Sequence, residues 1–575
     1  MDSRAELRRN EDSKYFSVTT PDQTKYFFNP VKEPSTSQSA VDTFANIDSP
    51  GCLYKIVDKY GNSTDINWHG GKITDITDAA GNTYTFTYDS NKLISISDAF
   101  GRSVTYIYNG GTLIQSTDST GQSYYYSYED DLLTEIKNDL GTTIASVTYA
   151  HPDILRYKVD ILTDQYGTQY QYDYDTINNK TSITAIFDDE GQVVKTTETG
   201  YDAEHDITYY VDEAGCKSSV EYYYQQSGGS IQLDPDGNVC IAIDDDYRKW
   251  KNGEILKSVD KTGLITSYTY PKPYDDTLGL PIAKTVSTPN GNMLEYTQYS
   301  YDTAGNVITE KNWRTQESDG TGTYTGTNYI YENRVRLVQV QKYLPVLSSR
   351  QSLPEMTDSN ANDFAVTNYE YVTDNPIKGL VGKIVYPEQY TGSSADKGWV
   401  YTYDSKGNLT SVTNPESTAA NEIIETFEYN NFGWVSKHTS GEGTVTEYEY
   451  NNNGQETKRT CIASTGNEVT RTVYNTLGLP VQTISPMQYN SSFETADGGY
   501  SDLTAGERKE YYENGLLKKV TDPEGNITSY TYDPYGEISQ ITRADGSIEL
   551  FDRPDFKTTN YYIKPNEQSG YFLLS

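Results

Sequence analysis

Strict alternation of aromatic and polar residues is the pattern that stands out along the chain. In Thr83-Tyr84-Thr85-Phe86-Thr87-Tyr88 every second side chain is a ring and the others are threonines, and Tyr124, Tyr126 and Tyr128 repeat the arrangement. A period of two sends alternate side chains to opposite faces of a β-strand, so one face becomes a ladder of rings and the other carries Thr, Ser, Gln and occasional Asp. The rings are expected on the dry face and the polar residues on the face that water reaches. Asp89-Ser90-Asn91 then turns the chain, Lys92 to Ser97 returns as a second strand, and Asp98 to Gly101 turns it again.

That hairpin is copied. Gly81, Gly101 and Gly121 stand twenty residues apart, each seven positions ahead of Tyr88, Tyr108 and Tyr128 and twelve ahead of Leu93, Leu113 and Leu133. Gly141 keeps the step, and Tyr149 slips by one. A lone hairpin leaves both edges unpaired and must stack on neighbours. The pattern therefore predicts an all-β array of antiparallel hairpins of about twenty residues each, with scarce helix. Repeats are expected over 51–311, regular at 55–149 and degenerate at 150–290, and again over 399–546. Residues 1–50 read as a partly irregular lead-in and 547–575 as a truncated end, both termini looking like cuts through a longer array. The stretch 312–398 reads as an irregular insert, with exposed loops at Glu317 to Gly326 and Ser348 to Asp363.

A fuller motif appears in the later repeats. Tyr299-Ser-Tyr301-Asp302-Thr-Ala-Gly305, Tyr401-Thr-Tyr403-Asp404-Ser-Lys-Gly407 and Tyr530-Thr-Tyr532-Asp533-Pro-Tyr-Gly536 all read Y-x-Y-D-x-x-G. Tyr429-Asn430 with Gly433, Tyr450-Asn451 with Gly454, and Tyr474-Asn475 with Gly478 are the same unit with Asn in place of Asp. Either short side chain can bond backbone groups of the turn, and the glycine supplies positive φ.

Composition sharpens this reading. Only 35% of the 575 residues are hydrophobic and the mean hydropathy is −0.72, yet there are 55 tyrosines and 13% of the chain is aromatic, which excludes a disordered chain. Tyrosine buries a ring while keeping a hydroxyl for a partner. A net charge of −36 repels nucleic acid and anionic membrane surfaces. No stretch approaches a membrane span, and the first residues contain no apolar run suited to a secretory leader.

Candidate chemistry is sparse. His69, His151, His205 and His438 lie near no nucleophile pattern, and Cys52, Cys216, Cys240 and Cys461 form no C-x-x-C pair; Cys216 with Cys240 is the one pairing to check. Asp188-Asp189-Glu190, Asp234 to Asn238 and Asp244-Asp245-Asp246 offer oxygen ligands for calcium, but none completes a twelve-residue loop, and they read as turns. No carboxylate pair is singled out for glycoside hydrolysis. Trp68, Trp250, Trp313, Trp399 and Trp434 could stack on sugar rings; they read instead as fillers of the aromatic face. No catalytic residue, metal site or cofactor is therefore expected.

Along Tyr403-Asp404-Ser-Lys-Gly407-Asn408-Leu409 and Tyr532-Asp533-Pro-Tyr-Gly536 the sequence resembles the Rhs or YD repeat family, and the likeness runs from about Lys55 to Gly546. The resemblance implies a long sheet of hairpins wound into an open or closed hollow shell, which in bacterial members encloses a C-terminal toxic domain. It implies a non-enzymatic, secreted or cell-surface scaffold that encapsulates or presents a toxin in interbacterial competition, with the cargo encoded beyond this chain. Members that release their cargo do so at a D-P-x-G-L type motif. Asp522-Pro523-Glu524-Gly525-Asn526 and Asp533-Pro534-Tyr535-Gly536-Glu537 lack its leucine and read as ordinary turns. The rival readings are a carbohydrate-binding or adhesive surface protein and, more weakly, an enzyme with its site in 312–398.

Overall fold

Each motif turn is closed by the same bonds. At the turn of Asp404, Gly407 N donates to Asp404 O at 3.1 Å and Asp404 N donates to Asn408 O at 2.9 Å. The carboxylate Oδ1 accepts from Lys406 N at 2.8 Å and Asn408 N at 2.9 Å, and Oδ2 accepts from Asn408 Nδ2 at 2.9 Å. Gly407 sits at φ 85, where a Cβ would be strained. The same pattern closes the turns of Asp78, Asp98 and Asp302. In the turns of Asn430, Asn451 and Asn475 an amide oxygen takes the place of the carboxylate.

These turns link strands that pair in sequence order. The computed structural model describes residues 6–9, 16–20, 22–29, 51–139, 141–149, 158–164, 169–175, 177–186, 193–202, 207–212, 215–222, 232–233, 239–240, 255–270, 280–316, 321–418, 423–464, 466–475, 477–495, 499–512, 515–533, 537–552, 560–564 and 572–573. Among them the regular elements are β-strands, with three-residue 3-10 turns at Ala361–Asp363 and Ser491–Phe493. Pairing is antiparallel, as where Ser123–Glu129 pairs with Leu132–Asn138 and that strand with Thr143–Tyr149. The chain divides into two compact units: Met1–Phe86 with Asp206–Tyr209 and Lys217–Glu425, and Thr87–His205 with Tyr210–Cys216 and Thr426–Ser575.

The stretch 312–398 continues the ladder. It contributes strands Gly322–Glu332, Arg336–Tyr343, Phe364–Tyr371 and Val381–Val385, and Arg336–Tyr343 pairs directly with Phe364–Tyr371. What leaves the ladder is 349–363, and this segment lies down on the sheet. Tyr324 Oη donates to Gln351 O at 2.6 Å, Asn328 Nδ2 donates to Pro354 O at 3.0 Å, and the Leu353 side chain occupies the space a Cβ on Gly326 would need.

The core is on the face opposite the motif tyrosines, which corrects the expectation that the rings take the dry side. Tyr369 pairs with Ile384, Glu370 with Lys383 and Asn368 with Val385. Buried Val385 therefore shares a face with Lys383, away from Tyr369. Gln341 pairs with Val366 and Asn328 with Gln341, which places buried Tyr324, Gln341, Phe364 and Val366 on that same face. In the second unit Arg471 pairs with Ile484 and with Lys458, itself opposite Glu449. Buried Val469, Arg471, Gln482 and Ile484 thus lie opposite Tyr448 and Tyr450, covered by 485–495 and 499–506. A single sheet face dries only where something lies on it, and here the covers are the long connections. Tyr301, Tyr403 and Tyr532 stay half-buried.

The polar face also carries cross-strand ion pairs: Lys383 with Glu370 at 3.2 Å, Lys437 with Glu428 at 3.0 Å, Lys458 with Glu449 at 3.3 Å and Lys519 with Glu510 at 2.5 Å. The acid is the residue just before the motif tyrosine, a sequence signal that the Y-E-Y strings display. Such exposed pairs contribute at most about 1 kcal/mol each and mainly fix register.

Candidate functional site

The working surface of this protein is its rows of turns. Gly81, Gly101 and Gly121 occupy turn positions at φ 83, 87 and 90. Tyr88, Tyr108 and Tyr128 lie at the other end of their strands, half-buried on one face; Tyr108 faces Leu113 and Tyr128 faces Leu133 across the ladder. The five-residue interval from tyrosine to leucine is thereby a cross-strand contact. Tyr301, Asp302 and Gly305, and Tyr403, Asp404 and Gly407, form complete motif turns. Tyr532 and Asp533 do likewise as far as Glu537, while Gly536 lies outside the described residues.

The motif tyrosine does a task that its spacing did not disclose: its hydroxyl reaches back to the preceding hairpin. Tyr532 Oη donates to Leu517 O at 2.8 Å, Tyr511 Oη to Pro480 O at 2.8 Å, Tyr474 Oη to Glu456 O at 2.9 Å, Tyr450 Oη to Val435 O at 2.7 Å and Tyr403 Oη to Val381 O at 2.9 Å. In each case the acceptor lies two residues beyond the preceding turn's glycine, Gly515, Gly478, Gly454, Gly433 or Gly379. Each acceptor sits where the preceding hairpin slips: register shifts fall opposite them at Glu510/Tyr511, Val473/Tyr474, Glu449/Tyr450, Glu428/Tyr429 and Glu370/Tyr371. A β-bulge leaves a backbone group unpaired and increases local twist; the tyrosine fills that vacancy. Burial, with a smaller repulsion from Tyr299, pushes the Tyr301 hydroxyl up to about 12, so these groups act as neutral donors at ordinary pH.

Turns far apart in sequence also meet. Within the first unit Asn62 Nδ2 donates to Lys378 O at 3.0 Å and Lys378 N donates to Asn62 Oδ1 at 2.7 Å, across 316 positions, and the Tyr60 ring lies against Gly379. Within the second unit the Phe100 ring meets Phe432 edge-on at 5.5 Å, and the Arg102 guanidinium stands over Phe432 at 4.7 Å and Trp434 at 5.6 Å. Tyr60 and Phe100 occupy one position of their turns, and Thr120 is its counterpart one repeat beyond Phe100. There the seam opens into a cavity of about 320 Å³ lined by Thr120, Gln122, Asn451, Gln455, Tyr474 and Asn475 among others.

The remaining sequence candidates fall into structural roles or outside the described residues. His438 stacks on Phe427 at 4.8 Å, and His69 ends a strand opposite Lys72; His151 and His205 lie outside. Trp68 Nε1 donates to Leu53 O at 2.8 Å, Trp313 packs on Tyr324 at 5.3 Å, Trp434 packs on Phe432 and Tyr450, and Trp399 lies across from Ile384. Trp250, the Cys240 side chain and the three acidic clusters lie outside the described residues. Cys52, Cys216 and Cys461 are free thiols. Among the described residues no three His, Cys, Asp or Glu side chains gather to hold a metal ion, and no helix is long and apolar enough to cross a membrane.

Fold and turns together define a β-hairpin repeat protein. Residues 511–548 match the family model of the RHS repeat, so the chain carries an RHS repeat in that segment, from the Tyr511 clamp through the Tyr532 clamp into strand Ile548–Asp552. No curated protein matches the chain. Among solved structures the chain is similar to a mutant of the Tc holotoxin pore of Photorhabdus luminescens, with 14% identity, 92% of this chain and 29% of that one covered, and a TM-score of 0.31. It is likewise similar to the TcdB2–TccC3 complex, with 14% identity, 94% and 34% covered, and a TM-score of 0.31. A porin-like protein of Bacteroides uniformis shares 16% identity over 46% of this chain and 97% of its own, at a TM-score of 0.14. The chain spans about a third of the length of the toxin-complex chains.

Proposed function

We propose that this chain is a non-enzymatic wall segment of a hollow RHS-repeat scaffold that holds a toxin polypeptide delivered outside the producing cell, in competition between bacteria. The observation that carries the reading is the seam. Asn62 bonds to Lys378 from 316 positions away, so turns of distant hairpins meet within the first unit. A bulge at each motif tyrosine gives the sheet a consistent extra twist at that edge, which suits a wall that winds. The RHS repeat at 511–548 supports the family's role as a container, and the cargo would be a separate segment of the natural polypeptide. Nothing in the chemistry of the turn rows calls for a reaction: their carboxylates and amides are spent on backbone bonds.

Expression of residues 1–575 in the bacterial cytoplasm, with growth recorded, tests this reading. Growth at the rate of the empty vector is expected. Growth arrest by the intact chain would overturn the scaffold and favour an enzyme.

A further inference from the structure

The connections that cover the polar face include a motif distinct from the hairpin repeat and present twice. Tyr386-Pro387-Glu388-Gln389-Tyr390, continuing to Ser394-Ala395-Asp396-Lys397-Gly398-Trp399, corresponds to Ser485-Pro486-Met487-Gln488-Tyr489, continuing to Thr495-Ala496-Asp497-Gly498-Gly499-Tyr500. Both copies begin with one turn: Gln389 N and Tyr390 N donate to Tyr386 O at 3.0 and 3.1 Å, and Gln488 N and Tyr489 N donate to Ser485 O at 3.0 and 3.0 Å. Both follow a buried strand end, Val385 and Ile484. Before the next strand each passes a glycine, Gly398 or Gly506, whose missing Cβ would meet the carbonyl oxygen of Ile384 or Thr483.

The copies differ in what fastens them. The first is neutral where it meets the sheet: Gln339 Nε2 donates to Tyr390 Oη at 3.2 Å, and Asp396 caps its own exposed loop through Thr391 N and Gly392 N. The second carries two extra residues, Phe493-Glu494, and these place a carboxylate on the sheet. Glu494 lies 3.4 Å from Arg471 Nε and 3.7 Å from Lys458 Nζ, and it accepts from Tyr489 Oη at 2.9 Å. Arg471 is 2% exposed and also donates to Thr457 O. Lys458 is shared with Glu449. The other charged groups on the covered face are Arg508, whose Nε is buried without a hydrogen-bond partner, and Asp502 on the strap, which accepts from Thr504.

We propose that residues 485–495 and 499–506 form a charge-locked strap, with Glu494 as the lock on Arg471 and Lys458, and that neutralising Glu494 lifts the strap from the sheet. A buried guanidinium deprived of its counter-ion is strongly unfavourable. Lifting the strap lets water reach Arg471, so the system relieves that cost by opening at the expense of the contacts of Val469, Ile484 and Tyr500. The first copy, lacking a carboxylate on the sheet, stays closed.

Hydrogen exchange of the full chain, read by mass spectrometry and corrected for the intrinsic dependence of exchange on pH, tests the lock. The strap amides of Asn490, Thr495 and Ser501 bond to Tyr500 Oη, Gly499 O and Phe493 O and report closure. In Glu494→Gln their protection should fall about ten-fold or more at pH near 7, while amides of the 427–450 hairpins and of 386–398 keep theirs. Tyr489→Phe, which removes one bond and no charge from the lock, should fall between the native chain and Glu494→Gln. Unchanged protection in Glu494→Gln, or loss extending into 427–450, would each overturn a local strap locked by this carboxylate.

Discussion

Tyr532 Oη donates to Leu517 O at 2.8 Å, tying the last residue of one strand to the first residue of the strand before it, at the bulge where Leu517 faces Tyr511. Since the same bond recurs at Tyr403, Tyr450, Tyr474 and Tyr511, the phenol is the fastener of the repeat as much as its filler. Tyr532→Phe keeps the ring and leaves the Leu517 carbonyl without its donor. It should cost about 1 kcal/mol by urea denaturation, and Tyr403→Phe about the same. Stability equal to the parent would show that water replaces the hydroxyl at no cost.

The turn carboxylates predict an acid limb. Partial burial pushes Asp404 up, but the bonds from the Asn408 side chain and from Asn408 N and Lys406 N outweigh it and hold the carboxyl below its ordinary value. Asp522 is held down chiefly by the Asn526 side chain. A carboxyl depressed in the folded state contributes stability that is present above its unfolded value of about 3.9 and is lost as pH falls through the folded value. Melting temperature should therefore decline below about pH 4, and Asp404→Asn with Asp522→Asn should make the decline shallower, as Asn already serves at Asn430, Asn451 and Asn475. A decline of equal steepness in the double variant would exclude the turns as its source.

The opposite sign holds for the buried phenols. Tyr301 and Tyr329 are both pushed up to about 12 by burial, with neighbouring Tyr299 adding to Tyr301 and Glu310 to Tyr329. Their contribution is complete below the unfolded value of about 10 and is lost as pH rises toward 12. A tyrosinate absorbance titration should show a late-ionising group of phenols that shrinks in Tyr301→Phe; titration of all tyrosines near the ordinary value would contradict it.

Seam contacts predict a gain and a loss at equivalent positions. Phe100→Ala removes the ring that meets Phe432 edge-on and should cost about 2 kcal/mol, less than a fully buried ring because the site is half-exposed. Thr120→Phe places a ring in the cavity of about 320 Å³ at the corresponding turn and should raise stability by about 1 kcal/mol. A loss in the second variant would mean that the cavity cannot accept the plug its neighbours use.

Two glycines separate backbone strain from crowding. Gly121 has φ 90 with nothing within 4 Å of a built Cβ, whereas at Gly506, φ 70, that Cβ meets the Thr483 carbonyl. Gly121→Ala should cost about 1 kcal/mol for the left-handed conformation alone, and Gly506→Ala about 3 kcal/mol or more because a backbone segment must also move. Equal costs would show that 485–495 and 499–506 are free to shift.

Local chemistry made much of this legible from the chain. The two-residue alternation set the strands, the twenty-residue step set their number and order, and the D-x-x-G pattern set the turns, because each depends on contacts within one hairpin. Tertiary structure decided what those contacts could not. Whether a face is dry depends on what lies over it, so the tyrosine face, apolar by composition, stays half-buried, while the face with Arg471 and Ile484 is sealed by 485–495 and 499–506. The stretch 312–398 looked irregular because its strands are long and its glycines misplaced, yet cross-strand pairing needs only matching partners, and Gln341 found Val366 across a looped-out segment. The meeting of Asn62 with Lys378 and of Phe100 with Phe432 has no local signal at all: each joins turns far apart in sequence within one unit, and no window of sequence contains both partners.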